Sequence, residues 1–137
     1  MIQKLLLAGA LTAAAVTGFA CGGDDDANDD PRAAQVGAVS ENATYAYADD
    51  GAAGLYDYLA TDVTDKCTVE QVQADIKDEP AATGWRQTRD FKFDGDIATA
   101  TVIVITAGGD ADQEWSFVKE GDSWRITSVP GLEDCAG

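Results

Sequence analysis

Ile97-Ala98-Thr99-Ala100-Thr101-Val102-Ile103-Val104-Ile105-Thr106 (IATATVIVIT) is the stretch that decides the fold. Ile, Val and Thr branch at Cβ and suit the pleated surface of a strand. Alternation puts Ile97, Ile103 and Ile105 on one face and Val102 and Val104 on the other. A strand apolar on both faces is expected in the middle of a sheet, with Ile103 and Ile105 in the core.

The flanks extend this strand into a sheet. On the N-terminal side, the turn Asp94-Gly95-Asp96 joins it to Trp85–Phe93. There strict alternation would point Trp85, Gln87, Arg89, Phe91 and Phe93 one way. On the C-terminal side comes the turn Gly108-Gly109-Asp110, then a strand Glu114–Lys119 with Trp115 and Phe117 on one face. After Glu120-Gly121-Asp122, a fourth strand, Ser123–Val129, turns Trp124 and Ile126 inward and ends at Pro130-Gly131. Four strands joined by short turns predict an antiparallel meander.

Upstream, the period changes from two to three and four. Val36, Val39, Ala43 and Tyr47 line one face of a helix running from Ala33 to Ala48, with Pro31 suited to its first turn and Asp49-Asp50-Gly51 at its end. Ala52–Ala60 reads as a second, short helix with Leu55, Tyr58 and Leu59 on one side. A third opens at Thr68, which can cap it while Gln71 completes a capping box. Val69, Val72 and Ile76 form its apolar stripe, and Glu79-Pro80 closes it. Helices followed by an antiparallel sheet define an α+β domain. The domain is expected over residues 32–137, as one monomeric unit with a single core.

Residues 1–20 read as a signal peptide. Lys4 gives a short basic start, and Leu5–Val16 is an uncharged run of twelve. A spanning helix needs roughly 20 apolar residues, so cleavage is favoured over anchoring. Gly18-Phe19-Ala20-Cys21 resembles a bacterial lipobox in its last two positions and departs from it at Gly18, where Leu is usual. The resemblance implies lipidation of Cys21. Gly18-x-Ala20 also suits ordinary signal peptidase, which would leave the protein secreted.

Residues 21–31 (CGGDDDANDDP) have no apolar side chain larger than Ala, and their aspartates repel one another. An extended acidic tether is expected. Asp24, Asp26, Asn28 and Asp30 alternate as in a calcium loop, but the sixth and twelfth positions hold Asp29 and Gln35 where Gly and Glu are required. Three cysteines are present, Cys21, Cys67 and Cys135. If Cys21 carries a lipid, Cys67 and Cys135 remain to pair.

Only Lys4 of the nine basic residues precedes Cys21, and all 25 acidic residues follow it. A chain so acidic lacks the basic surface that tracks phosphates, so nucleic acid is not an expected partner. Anionic headgroups would repel it too, which leaves the lipid as the membrane link. Histidine is absent, which excludes Ser-His-Asp and Cys-His catalysis and His-ligated zinc. No metal and no cofactor is expected.

Two segments carry a wider resemblance: Asp94-Gly95-Asp96-Ile97-Ala98-Thr99-Ala100-Thr101-Val102, and Trp115-Ser116-Phe117-Val118-Lys119-Glu120-Gly121-Asp122-Ser123-Trp124-Arg125-Ile126. With the order of helices and strands, they resemble small bacterial lipoproteins of the nuclear-transport-factor-2-like (SnoaL-like, cystatin-like) superfamily. The resemblance covers most of residues 33–129. It implies three helices packed on a curved four-stranded antiparallel sheet, closed like a cone. Such cones often enclose a pocket, and Tyr56, Trp85, Phe91 and Trp115, with Gln87 and Arg89 as polar handles, are its candidate lining. The same aromatics would equally fill a dry core. Arg89 decides this, because a charge on the inward face needs a carboxylate or a ligand.

The functional expectation is a lipid-anchored binding or interaction domain on the extracytoplasmic face of the cell membrane, taking a small ligand or an envelope protein. The alternative is a protein–protein module without a pocket. A small isomerase-like or dehydratase-like enzyme is the third reading. It would use a buried carboxylate beside a Tyr donor, and Asp57, between Tyr56 and Tyr58, is its one candidate base.

Overall fold

The computed structural model describes residues 30–136. The leader 1–20, Cys21 and the tether aspartates up to Asp29 lie outside the described residues. Helix α1 spans Pro31–Asp50. Asp30 caps it by accepting from the Arg32 amide, and Pro31, whose missing N–H costs nothing in the first turn, begins it. Short helices α2 (Ala52–Tyr56) and α3 (Thr61–Thr64) follow, then α4 (Val69–Ile76). The Thr68–Gln71 capping box of α4 forms as expected. The expected second helix stops at Tyr56, and α3 was not foreseen. Four residues with one buried apolar side chain, Val63, show no period to read.

Strands β1 (Ala82–Asp94), β2 (Ile97–Thr106), β3 (Gly109–Glu120) and β4 (Ser123–Ser128) form one antiparallel sheet in the order β1-β2-β3-β4. The fold is therefore α+β, with N-terminal helices packed on a four-stranded antiparallel sheet. A last turn, α5 (Glu133–Ala136), carries Cys135, which is bonded to Cys67 across 68 residues of sequence. On the chain-entropy model, closing so long a loop contributes roughly 4 kcal/mol.

The core lies between the helices and one face of the sheet. That face carries Ala98, Ala100, Val102 and Val104 of β2, Trp115 and Phe117 of β3, and Trp124 and Ile126 of β4, all buried. Val36, Ala43, Leu55, Val63, Val72 and Ile76 meet them from the helices. Ile103 is buried as expected, but the expectation that it and Ile105 belong to this face's core is corrected. They lie on the opposite face with Ile97, which is 56 % exposed. Small alanines on the core face leave room for the larger rings of β3, so residue size did not identify that face.

The two edges of the sheet differ. On β4, Ile126 exchanges hydrogen bonds with Tyr58 O and the Ala60 amide, so the chain between α2 and α3 covers that edge. β1 is the open edge. Its pairing with β2 slips between Ala82 and Gly84, between Trp85 and Gln87, and between Arg89 and Lys92. Each slip is a bulge with one extra residue on β1, and each extra residue reverses the alternation. Asp90, in the last of these, has φ 57°.

Candidate functional site

The bulges decide where the candidate residues fall. Trp85 pairs with Val104 and Thr88 with Val102, both on the core face. Between them, Gln87 and Arg89 pair with Ile103 and Thr101 on the outer face. After the bulge at Asp90, Phe91 is buried and Phe93 pairs with Ala98, again on the core side. The expectation that Trp85, Gln87, Arg89, Phe91 and Phe93 share a face is thus corrected. Arg89 is exposed and sits between Asp112, at 3.2 Å, and Asp90, at 3.6 Å.

The six residues expected to line one pocket are distributed over four places. Tyr56 fastens the helical layer. Its hydroxyl donates towards the carbonyls of Cys67, at 2.7 Å, and Thr64, at 3.1 Å. Trp115 donates to Gln113 at 2.9 Å and borders a small apolar cleft with Tyr47, Leu55, Ile76 and Val129. That cleft has a volume of about 40 Å³. Pockets for small ligands run to about 300–1,000 Å³. Arg89 is on the outer face. Trp85, Gln87 and Phe91 do come together.

These three line an open groove of about 570 Å³ between β1 and α1. Arg86 and Thr88 complete the strand side. Ala33, Ala34, Gly37, Ala38 and Glu41 form the helix side. Gly37 has no side chain here, and Phe91 comes to 3.9 Å from where a Cβ would stand. A string of hydrogen bonds joins β1 to α1 beside the groove. Trp85 Nε1 donates to Thr88 Oγ1 at 2.9 Å, Thr88 Oγ1 meets Ser40 Oγ, and Ser40 Oγ donates to Gly37 O at 2.9 Å. Every polar atom of the string is satisfied, which fixes the Trp85 ring at the groove wall.

At one end of α1, Arg32 fills a local version of a cation site. Its guanidinium pairs with Asp30 at 2.6 Å and lies 4.3 Å from the centroid of Phe93, which in turn packs edge-on against Trp124. The Arg32 guanidinium and amide hold the Asp30 carboxyl down at about 2, from an ordinary 3.8. Asp57 is exposed, and its backbone carbonyl accepts from Arg125 at 2.7 Å. It therefore lacks the apolar burial by which a carboxyl is tuned as a base.

Glu41 and the small residues Ala34, Gly37 and Ala38 were not singled out in the sequence. Their spacing of three and four along one side of α1 was the available signal. Among the described residues no group of three or more Cys, Asp or Glu is arranged to hold a metal ion. No helix of the described residues is long and apolar enough to cross a membrane. No protein-family model matches the chain, and no curated protein matches it.

Proposed function

We propose that the chain is a lipid-anchored interaction domain of the nuclear-transport-factor-2-like kind, tethered through Cys21 on the extracytoplasmic face of the cell membrane. It binds an envelope protein at the groove between α1 and β1. One contrast carries this reading. The apolar cleft beside Trp115 is about 40 Å³, while the groove walled by Trp85, Gln87 and Phe91 is open and about 570 Å³. Arg89, paired with Asp112 and Asp90, has no need of a ligand in the core. The Cys67–Cys135 disulfide suits an oxidising compartment.

Two experiments in cells test the two halves. Cys21→Ser should lose the protein from the membrane fraction or leave it uncut; a variant that partitions into detergent as the wild type does would refute the anchor. A photo-crosslinking amino acid in place of Gln87 should give a discrete adduct on irradiation. The same residue in place of Gln73, exposed on α4, should not. Equal adducts at the two positions, or none, would refute the groove.

A further inference from the structure

We infer that the groove receives a lysine or arginine side chain borne on an extended segment of the partner protein. This rests on the groove being the binding surface. Glu41 is half-buried in its wall and makes no side-chain hydrogen bond or ion pair with any described residue. The same groove is lined by Ala34, Gly37, Ala38, Trp85 and Phe91. A carboxylate that has lost part of its hydration beside apolar groups is stabilised by an incoming cation.

Further observations narrow the partner. Trp85 and Phe91 supply ring faces and edges of the kind that hold a charged alkyl or guanidinium group. The molecule already uses this combination internally, where Arg32 lies between the Asp30 carboxylate and the Phe93 ring. Arg86, the one cation lining the groove among the described residues, is drawn to Asp110 at 3.1 Å, so its charge is offset. The chain's formal charge of −16 steers cations towards it and repels acidic segments. The groove runs along β1, whose outer main-chain edge pairs with no strand among the described residues, and this favours an extended segment over a free amine.

The test uses the full-length oxidised chain in detergent micelles. It is titrated with a capped pentapeptide, Gly-Lys-Gly-Lys-Gly, and with its glutamate counterpart. Glu41→Gln and Asp122→Asn each remove one negative charge, the second in the exposed β3–β4 turn. The lysine peptide should bind saturably and the glutamate peptide should not. Glu41→Gln should weaken binding about fivefold or more, and Asp122→Asn by less than about twofold. Equal losses in the two variants, or binding that does not saturate, would overturn the assignment. A Gln87 adduct that persists in cells while Glu41→Gln leaves peptide binding unchanged would remove only the cationic segment. Absence of that adduct would remove the groove itself.

Discussion

Ser40 on α1 and Thr88 on β1 join their hydroxyls in the one side-chain hydrogen bond that links these two elements among the described residues. The direction follows from the neighbours. Ser40 gives its proton to Gly37 O, so Thr88 must donate to Ser40 while accepting from Trp85. The two residues are therefore not equivalent. Thr88→Val strands Trp85 Nε1 while Ser40 Oγ keeps its bond to Gly37 O, whereas Ser40→Ala leaves Thr88 still accepting from the indole. Thr88→Val should cost about 1–3 kcal/mol, more than Ser40→Ala. Urea melts of both variants and of the double variant give the comparison, and the double variant should cost less than the two single losses added.

Gly54 lies where α2 meets α1. A Cβ there would stand 2.1 Å from the carbonyl oxygen of Ala46, a backbone atom that cannot swing aside. Gly54→Ala should therefore force the helices apart, at a cost of about 1–3 kcal/mol or more. Gly51, between the same helices, has φ 66° but open space around it. Its ψ of −144° lies outside the left-handed helical region, so Gly51→Ala should cost backbone strain of about 1–3 kcal/mol with no clash. A Gly54→Ala variant that melts in denaturant with the wild type would contradict this packing.

Three isoleucines provide a test of which face is the core. Ile126 is fully buried in the main cluster, Ile103 is 8 % exposed on the outer face, and Ile97 is 56 % exposed. Truncation to Ala removes the same atoms from each. Ile126→Ala should cost about 2–5 kcal/mol, Ile103→Ala less, and Ile97→Ala within about 0.5 kcal/mol of nothing. The order is read from denaturation midpoints at constant slope.

The Asp30–Arg32 clasp predicts a pH dependence with a definite sign. Asp30 has its folded value lowered from 3.8 to about 2 by the hydrogen bonds from Arg32. Its contribution is thus complete above the ordinary carboxylate value and is lost as the pH falls through the folded value. Asp30→Asn should be less stable than the wild type at neutral pH, and the gap should close between about pH 4 and pH 2. The side chains are partly exposed, so the gap is small. Thermal melts across that range measure it.

Much of the architecture was open to reading because its signals are local. Ile97–Thr106 is bounded by turns on both sides, and β2 occupies the same ten residues. Thr68 and Gln71 carry a cap that needs no tertiary help. The faces were harder. Alternation counts residues, and three bulges in β1 each add a residue that the count does not reveal. For that reason Trp85 and Phe91 were placed on the right side of the sheet and Gln87 and Arg89 on the wrong one. β2 is apolar on both faces, so its sequence could not say which face the helices cover. The groove was half legible, through Trp85, Gln87 and Phe91. Its helix side was not, because Glu41 is an ordinary helical carboxylate until β1 lies beside it.

The bond between Cys67 and Cys135 encloses all four strands and leaves α1, α2 and α3 outside the ring. The sheet is thereby a covalent circle with a linear helical arm. A protease that nicks any of the three hairpin turns opens the circle without releasing a fragment, and the product weighs one water more than the intact chain. A cut in the segment between α1 and α2 instead frees the helix that forms one wall of the groove. Such damage to the two walls is thus unequal: a nicked strand wall stays attached to the molecule, and a severed helix wall can leave it.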